Sequence, residues 1–434
     1  MHELQSEATD RRRVTIEKLA PTGEGIARTA EGTGFIAGAL PGEDVEVEVT
    51  EARKKFWKGR VVGLLSRSPD RVAGPHESCA GCDWAYLDLD RARQVKRDLF
   101  LETMARIGGL SPELFGELPI EPSPGGYRLR ARLHAAGRGR EAAVGYYAPR
   151  THRVESARNC DALSRGMRDL LSRLAEPIAS SGAPLSEISI AEDLLGSAHL
   201  ARIVLAPEGS RRDAHALEAG LRRVFDGLVI VSHRGERWSE TGSPFLWHEV
   251  GGRRFPVTAG VFFQVNRHLL SRLYQYVRAE AALPPGLSLD AFGGVGLFAG
   301  ALADAGHRVV SVEASSTAVA LAAQAKKRGS SGHEDDWRIV HSAMLPFMHA
   351  HTESFDLAVV DPPRAGLGAP LAAMLAERVR DRIIYVSCDP ATLARDLAMI
   401  QSRGYRVARA RIYDLFAFTH RLEAVVTLER SDNA

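Results

Sequence analysis

The sequence predicts an α/β protein whose C-terminal part, residues 261–434, forms a doubly wound, Rossmann-like parallel sheet. Almost wholly apolar strands such as LSLDAF, RVVSVE, FDLAVV and IIYVS alternate there with helical segments. This alternation is typical of parallel strands that helices cover on both faces. A glycine-rich turn, GGVG, follows the first of these strands. In such sheets ligands bind beyond the carboxyl ends of the strands, so we expect a site there.

The remainder of the chain predicts two further domains. Residues 1–68 contain alternating segments such as VEVEV, separated by the turns PTGEG, EGTG and PGED. This pattern is typical of a small antiparallel β-barrel of the OB type. Residues 85–107 are helical by their periodicity, and residues 127–260 mix strands with two helical segments, so residues 69–260 are predicted to form an α+β central domain. At 434 residues the chain is too long for one ordinary core, so a division into domains is expected.

The composition excludes several classes of protein. No uninterrupted apolar stretch is long enough to span a bilayer. The N-terminal segment MHELQSEATDRRR lacks the apolar region of a secretion signal. Four cysteines in a chain of this length indicate thiols or ligands rather than a disulfide framework. We therefore expect a cytoplasmic protein that does not associate with membranes, and a monomer.

The distribution of charge indicates a partner. The net charge of +2 excludes a uniformly basic protein, but basic residues are clustered. Residues 53–60 carry five of them around Phe56 and Trp57, and residues 128–153 contain seven arginines against one acid, Glu141. Such runs are often ordinary solvated surface. The aromatic residues between the cations favour RNA, because phosphates attract cations and unstacked bases stack on rings.

Four sequence features of the kind found in catalytic or ligand-binding sites lie at the ends of the C-terminal strands. They are the glycine turn Gly293–Gly296, Glu313, the Asp361-Pro-Pro-Arg364 loop and Cys388. The glycine turn alone does not discriminate, because NAD, FAD and S-adenosylmethionine sites all use it. Glu313 suits a ribose diol, or equally a helix N-terminus. The two prolines stiffen the loop that carries Asp361.

Cys388 lies between the strand IIYVS and a helix that begins with Pro390. The positive end of a helix favours the thiolate over the thiol, so we expect a lowered pKa. A cysteine in this position can also be a buried residue without chemistry. The convergence of the four strand-end features on one edge of the sheet predicts a site instead.

Several ordered segments resemble the RNA 5-methyluridine (uracil-C5) methyltransferase family. They are FFQVN, LDAFGGVG, VVDPPRAGL, VSCDPATLARDL and DLFAFTHRLEAVVTLER. The segments IEKLAPTGEGIAR and ALPGEDVEVEV resemble the TRAM domain. The resemblance covers nearly the whole chain. It implies S-adenosyl-L-methionine as cofactor and structured RNA, with the target uridine flipped out, as substrate.

The resemblance also implies the roles of individual residues. Cys388 would add to C6 of uracil and make C5 nucleophilic, and Glu423 would then remove the C5 proton. Spacing alone does not distinguish Glu423 from an ordinary strand acid. Contacts with the cofactor are implied for Gln264, Phe292, Glu313 and Asp361.

The sequence departs from the family pattern at three positions near these residues. Arg421 stands where a histidine is usual, two residues before the base, and Ala417 replaces a proline. Leu297 replaces an asparagine in the glycine turn. None of these changes removes Cys388 or Glu423.

A second group of cysteines suggests a metal site. Cys79 and Cys82 form a C-x-x-C pair, and Cys160 lies farther along the chain. Many relatives use four cysteines to hold a [4Fe-4S] cluster, but Ala73 stands at the fourth position here. Such clusters generally take four thiolates, although His76 or an external ligand could complete the set. Zinc and three structural thiols are the alternatives.

The sequence leaves several alternatives for the RNA target and for the function. The TRAM-like domain and the remnants of the cluster motif favour 23S rRNA as target, with tRNA as the alternative. Methylation at cytosine C5 usually needs a second cysteine in a Pro-Cys pair, which this chain lacks. A nicotinamide-dependent oxidoreductase would leave the DPPR loop and Cys388 without a role. A non-catalytic RNA-binding protein is the reading from a different class.

Overall fold

The computed structural model describes residues 10–72, 81–136, 143–148, 151–328 and 336–431. The chain divides into two compact units. The first comprises Met1–Glu102 and Phe416–Arg421, and the second comprises Thr103–Leu415 and Leu422–Ala434. The domain boundaries expected near residues 68 and 260 stay predictions.

The first unit contains a six-stranded sheet in the order β1-β5-β6-β4-β3-β2. Alternation explains its core, since Val45 and Val47 of the DVEVEVTEA strand are buried while Glu46 and Glu48, which alternate with them, are more exposed. Trp57 packs in the same core. The strands are β1 (Arg11–Thr15), β2 (Lys18–Leu19), β3 (Gly25–Thr29), β4 (Gly32–Ala37), β5 (Asp44–Ala52) and β6 (Phe56–Leu64).

A buried ion pair links this sheet to the segment that follows it. The Arg71 guanidinium donates to both carboxylate oxygens of Glu43, at 2.6 and 2.8 Å. The Glu43 side chain is fully buried and also accepts from the backbone amide of Leu40 at 2.8 Å. Burial raises the pKa of Glu43, but these hydrogen bonds and the Arg71 charge outweigh it and lower the pKa overall.

A segment from near the C-terminus belongs to the first unit. The Trp84 backbone amide donates to the Phe418 carbonyl at 2.9 Å, and the Lys96 ammonium donates to the Phe416 carbonyl at 3.2 Å. Asp83 forms an ion pair with His420. Helix α1 (Leu89–Gly108) carries Lys96, and the division between the two units falls within it, between Glu102 and Thr103.

The second unit begins with a seven-stranded mixed sheet, which we call the central sheet, in the order β10-β9-β8-β11-β12-β13-β14. Alternate residues such as Leu133, Ile188 and Ile203 are buried on one of its faces. Its strands are β8 (Arg130–Ala136), β9 (Ala143–Tyr147), β10 (Val154–Ser156), β11 (Leu185–Glu192), β12 (His199–Leu205), β13 (Gly227–Val231) and β14 (Arg237–Gly242). Strand β7 (Ile120–Glu121) precedes them in the chain and belongs to the other large sheet. The helices between them are α2 (Arg165–Ser181) and α3 (Arg211–Leu221).

The C-terminal part forms an eight-stranded sheet, in the order β19-β18-β17-β20-β21-β23-β22-β7, preceded by the hairpin β15 (Leu246–Val250) and β16 (Arg253–Val257). Its strands are β17 (Leu287–Ala291), β18 (Arg308–Glu313), β19 (Trp337–His341), β20 (Phe355–Val360), β21 (Val379–Ser387), β22 (Tyr405–Tyr413) and β23 (Glu423–Arg430). The helices are α4 (Leu270–Glu280), α5 (Leu297–Asp304), α6 (Ser316–Lys327), α7 (Met344–Ala350), α8 (Gly368–Arg378) and α9 (Pro390–Gln401).

The predicted fold class is confirmed. Strands β17 to β21 are parallel to one another, and apolar segments such as Ile383–Val386 of β21 are completely buried. The sequence did not predict two features of this sheet. Strand β23 runs antiparallel between β21 and β22, and the short strand β7 extends the edge beside β22. Among the described helices, none is both long and apolar enough to cross a membrane.

Candidate active site

Cys388 occupies the turn between strand β21 and helix α9, as the sequence predicts. The helix begins with Pro390, and Asp389 caps it by accepting from the amides of Ala391 at 2.9 Å and Thr392 at 3.1 Å. A proline in the first turn costs no hydrogen bond, and an aspartate at the cap satisfies the free amides. The thiol is partly exposed at the carboxyl end of the strand.

The expected lowering of the Cys388 pKa is wrong for the ligand-free chain. Burial, and then the charges of Glu423 and Asp361, together raise the pKa of the thiol to about 11, while the Arg364 charge opposes the shift. The Asp389 carboxylate, which caps the helix, also opposes formation of a thiolate. Desolvation and like charges therefore outweigh the positive end of the helix.

Glu423 is the first residue of strand β23 and is 3% exposed. The antiparallel ladder pairs Ser387 with Ala424, so Cys388 and Glu423 occupy the next opposed positions. Within the described ranges the Glu423 carboxyl makes no hydrogen bond or ion pair. Burial, and then the charge of Asp361, raise the pKa of Glu423 well above its usual value. A raised pKa makes the carboxylate form of Glu423 a stronger base than that of an exposed glutamate.

Asp361 follows strand β20 and lies beside a glutamine from a distant part of the chain. The Gln264 amide donates to the Asp361 carboxylate at 3.3 Å. Burial, and then the charge of Asp290, raise the pKa of Asp361, while the hydrogen bond from Gln264 opposes this shift. Two residues implied in cofactor contacts are thus directly joined.

The segment that carries Gln264 is fixed by a buried asparagine. The Asn266 side-chain amide donates to the Ser123 hydroxyl at 2.8 Å and to the Leu415 carbonyl at 3.0 Å. Its carbonyl oxygen accepts from the amides of His268 and Leu269, at 3.0 and 3.1 Å. Because every polar atom of the asparagine side chain has a partner, this segment has one defined conformation.

The loop after Asp361 is held by a second buried acid, Asp396 of helix α9. The Asp396 carboxylate accepts from the backbone amide of Leu367 at 2.6 Å and from the Tyr385 hydroxyl at 2.8 Å. The Arg395 guanidinium donates to the Ala365 carbonyl at 2.9 Å. The prolines that the sequence shows therefore account for only part of the loop's rigidity.

Asp290 is a site residue that the sequence analysis did not single out. It is 1% exposed, and one of its carboxyl oxygens accepts from the Ala299 amide and the Ser311 hydroxyl, both at 3.1 Å. The other oxygen, Oδ1, is buried and has no hydrogen-bond partner in the described part of the chain. Burial raises the pKa of Asp290 to about 7, with a smaller contribution from Glu313. The sequence feature that could have identified Asp290 is its position at the end of a strand, just before the glycine turn.

The glycine turn approaches its neighbours so closely that side chains would not fit. A Cβ atom on Gly293 would lie 2.1 Å from the Ser311 hydroxyl, and one on Gly296 would lie 2.3 Å from the Trp337 ring. Phe292 has a left-handed backbone with φ of 64°, which is unusual for a residue other than glycine. Such strain is typical of functional turns, and Phe292 is one of the expected cofactor contacts.

Glu313 binds backbone amides from both sides of the strand end. Its carboxylate accepts from the Gly294 amide at 3.0 Å and from the Ser315 amide at 2.6 Å. It therefore joins the glycine turn to the start of helix α6. These contacts agree with an acid beside a helix N-terminus, and a contact with a ribose diol stays a prediction.

The structure describes only part of the predicted cysteine group. Cys82 and Cys160 are both 4% exposed, whereas Cys79 lies outside the described residues, as do Ala73 and His76. Among the described residues, no three His, Cys, Asp or Glu side chains form a group that could hold a metal ion. A metal centre therefore has no support from the described geometry.

This sheet, with its glycine turn and strand-end acids, is that of an α/β enzyme that binds a nucleotide-like cofactor. Two family models match the chain. The tRNA (uracil-5-)-methyltransferase model matches residues 345–431, which include Asp361, Cys388 and Glu423, and the TRAM domain model matches residues 5–62.

Comparisons with individual proteins cover nearly the whole chain. A 23S rRNA (uracil(1939)-C(5))-methyltransferase from Halomonas elongata is 32% identical over 98% of this chain and 90% of its own length. An uncharacterized RNA methyltransferase from Streptomyces coelicolor is 32% identical over 96% of this chain and 92% of its own length. The chain belongs to the RNA uracil-C5 methyltransferase family.

A solved structure has the same fold. The tRNA (uracil-54, C5)-methyltransferase of Pyrococcus abyssi, in complex with S-adenosyl-L-homocysteine, is 22% identical and superimposes with a TM-score of 0.77. The match covers 96% of this chain and 99% of that one. The resemblance inferred from the sequence motifs is thus confirmed at the level of family and fold.

Proposed function

We propose that this protein is an S-adenosylmethionine-dependent enzyme that forms 5-methyluridine in 23S rRNA. The observation that carries this proposal is the opposition of Cys388 and Glu423 at the ends of strands β21 and β23. Methylation at C5 of uracil requires a nucleophile for C6 and a base for the C5 proton. A thiol and a buried carboxyl group at adjacent, opposed positions are suited to supply both.

Cys388 acts first in the proposed mechanism. Its thiolate adds to C6 of the flipped uracil, which forms a carbon–sulfur bond and makes C5 nucleophilic. S-Adenosylmethionine would supply the methyl group as an electrophilic carbon; its bond to the sulfonium sulfur would break as the bond to C5 forms, with S-adenosylhomocysteine as the leaving group. Glu423 as carboxylate then takes the proton from C5, and the carbon–sulfur bond breaks to release the Cys388 thiolate and 5-methyluridine.

The residues around the glycine turn fit a cationic nucleoside cofactor. Gln264, Phe292, Glu313 and Asp361 would hold it, with Asp361 offsetting its positive charge. Asp290, whose Oδ1 atom is buried without a partner, contributes a second acid to this region. A cation beside Asp361 would oppose the carboxyl charges that raise the pKa of Cys388. Binding of the cofactor would therefore favour the thiolate.

The choice of 23S rRNA over tRNA rests on similarity. The relative named for 23S rRNA is 32% identical over 98% of the chain, while the solved tRNA enzyme is 22% identical. Transfer RNA is the second candidate, because the matching C-terminal family model is described for tRNA. We further propose that the protein acts as a monomer in the cytoplasm.

The cysteines of this chain form an incomplete set of ligands for an iron–sulfur cluster. Three cysteines, Cys79, Cys82 and Cys160, stand where such clusters generally need four thiolates. No step of the proposed reaction requires electron transfer. The cluster therefore has no role in the mechanism above.

The proposal can be tested by trapping the covalent intermediate. Purified protein would be mixed with S-adenosylmethionine and 23S rRNA or tRNA transcripts that contain 5-fluorouridine. Because fluorine cannot leave C5 as a proton, the reaction should stop at an adduct that survives denaturation. The adduct should be absent in Cys388→Ala, and sequencing of the trapped RNA would identify the uridine.

Two results would contradict the proposal. Confirmed binding of S-adenosylmethionine without an adduct on any RNA would mean that the target atom is not C5 of uracil. An adduct on tRNA but not on 23S rRNA would overturn the proposed substrate and leave the chemistry intact.

A further inference from the structure

One face of the central sheet presents polar side chains to solvent. Residues of β8, β11, β12, β13 and β14 that are paired in register form a row across it, and none of them is fully buried. The members of this row are Arg132, Ser189, Arg202, Val229 and Glu240. The residues between them along each strand, such as Leu133, Ile188, Ile203 and Ile230, are buried on the other face. We call the face with this row, whose members are polar except for Val229, the open face.

An aromatic platform lies at one end of the open face. His134 of β8 stacks on Tyr147 of β9, with ring centroids 3.7 Å apart and planes inclined by 15°. His152 contacts Tyr147 edge-on at 5.5 Å. Tyr147 is 37% exposed, so part of its side chain is accessible to a ligand. Partial burial lowers the pKa of His134, so this ring is uncharged near neutral pH and offers a π-face.

Cations lie beside this platform. Arg132 forms an ion pair with Glu187 at 2.5 Å, but its side chain is 75% exposed whereas that of Glu187 is 14% exposed. The guanidinium of Arg132 is therefore more accessible to a second anion than the carboxylate with which it pairs. Arg202 makes no hydrogen bond or ion pair with any residue that the structure describes. Because β11 separates the strands of these two arginines, they are roughly 10 Å apart across the sheet.

The open face is continuous with the loop that leads to the active site. Arg130, at the start of β8, donates to the carbonyl oxygens of Ala259, at 3.2 Å, and Val261. A Cβ atom on Gly260 would lie 3.3 Å from the Arg202 side chain. Phe262 follows this loop and is 66% exposed, and Gln264, which binds Asp361, comes two residues later.

We propose that the open face binds a single-stranded segment of the substrate RNA next to the target uridine. One unpaired base stacks on Tyr147, and the phosphates on either side contact Arg132 and Arg202. Stacking on a ring tolerates any base, and guanidinium groups bind phosphate without regard to sequence. This proposal rests on the proposed function and adds the form of RNA that the enzyme selects.

Charge and ring chemistry favour RNA over an acidic peptide as the occupant. A peptide would satisfy the arginines, but it gives no reason for an exposed ring stacked flat on a neutral histidine. An unpaired nucleobase matches both features, because it carries a π-face and a phosphate within one unit. The continuity with the loop of Phe262 places such a nucleotide on the path to Cys388.

The experiment compares binding of two fluorescent RNAs by anisotropy. One is a short single strand with all four bases, and the other is the same strand in a duplex. Cys388→Ala serves as the parent, so that no covalent adduct interferes. Tyr147→Ala in this background should weaken binding of the single strand about 5- to 100-fold and leave duplex binding nearly unchanged. Tyr147→Phe, which retains the ring, should bind like the parent.

The arginines are tested in the same assay. Arg202→Gln should weaken binding and reduce its dependence on salt concentration, since one phosphate contact is lost. Arg173→Gln is the matched control, because Arg173 is an exposed arginine of helix α2 without a hydrogen bond or ion pair in the described residues. Thermal unfolding of each variant would establish that it is folded.

The outcomes separate this inference from the proposed function. Unchanged binding of the single strand by folded Tyr147→Ala would overturn the inference, whatever the enzyme methylates. Equal losses for the single strand and the duplex would overturn it as well, because the face would then not select unpaired RNA. Selective weakening in the variant supports it, even if the wild-type enzyme forms no fluorouridine adduct and the proposed function fails. If an acidic peptide added as competitor does not displace the RNA, an acidic peptide is excluded as the occupant of the open face.

Discussion

Cys388 and Glu423 oppose each other where strands β21 and β23 end, one position beyond the pair of Ser387 and Ala424. Of the carboxyl groups around the thiol, Glu423 makes the largest contribution to its raised pKa. In the proposed reaction the Glu423 carboxylate removes the C5 proton, and the loss of this proton allows the Cys388 thiolate to leave C6. The two side chains therefore have coupled protonation states, and the first two predictions follow from this relationship.

The first prediction concerns the reactivity of Cys388 in the ligand-free protein. Because its pKa is raised to about 11, the rate of alkylation by iodoacetamide should rise steadily with pH and show no plateau near neutrality. Arg364→Gln should slow alkylation at any given pH, since the positive charge that opposes the shift is lost. Arg364→Lys should preserve the wild-type rate. A plateau near pH 8 would mean that the end of helix α9 dominates after all.

The second prediction concerns Glu423→Gln. The variant should still form the bond from Cys388 to C6 but lack the base for the C5 proton, so turnover should fall about 100- to 10,000-fold. A covalent adduct should therefore accumulate with ordinary uridine RNA, measured on a denaturing gel. Glu429→Gln, on the same strand but paired with Arg382 at 2.7 Å, is the control and should not accumulate it. A Glu423→Gln variant with normal turnover would show that another group is the base.

The third prediction concerns the pH dependence of cofactor binding. The pKa of Asp361 is raised in the ligand-free protein, so this carboxyl is partly protonated near neutral pH. A cationic ligand favours the carboxylate, so S-adenosylmethionine should bind more tightly as pH rises from about 6 to about 8. Calorimetry in buffers of different ionisation enthalpy should detect release of protons to the buffer.

Two comparisons make this prediction specific. S-Adenosylhomocysteine, which lacks the sulfonium charge, should show a weaker dependence on pH. Asp361→Asn should bind S-adenosylmethionine weakly, and the remaining dependence on pH would come from Asp290, whose pKa is about 7. Binding by the wild-type protein that is independent of pH would contradict the assignment of Asp361 to the cofactor.

The fourth prediction concerns the stability of the first unit. Glu43→Gln leaves Arg71 buried without its counter-charge and should lower the free energy of local unfolding by about 3 kcal/mol. Hydrogen exchange of peptides from this unit measures that quantity. Since the pKa of Glu43 is lowered, its contribution is present above about pH 4.5 and is lost as the pH falls through the folded-state pKa.

A second carboxyl group of the same unit provides the control for Glu43→Gln. Glu51 pairs with Arg53 at 2.8 Å on the surface, and Glu51→Gln should change stability by less than about 1 kcal/mol. Equal effects of the two substitutions would mean that burial of the Glu43 pair does not matter.

The fifth prediction concerns iron. With three cysteines in the group, protein purified without oxygen should contain much less than one cluster per chain. Ala73→Cys supplies the missing thiol and should gain iron and the visible absorbance of a cluster. A full complement of iron in the wild-type protein would contradict this expectation and indicate a further ligand such as His76.

The sequence by itself determined which residues stand at the strand ends. Cys388, Asp361 and Glu313 each follow an apolar run, and the carboxyl ends of parallel strands meet at one edge of a sheet. Local patterns therefore predicted the fold class and one edge of the site. The role of Glu423 came only from resemblance to a family, because nothing in its neighbouring residues distinguishes it from a strand acid.

Only the tertiary structure decided the protonation of the site and the character of the surfaces around it. The sequence predicted a lowered pKa for Cys388 from the adjacent helix, but burial and the charges of Glu423 and Asp361 reverse the shift. The buried Oδ1 atom of Asp290 and the stack of His134 on Tyr147 also depend on distant segments coming together. Helix capping and turn formation act between neighbours in the chain and can be inferred from sequence. Desolvation and charge interactions depend on distances in space, which only packing sets.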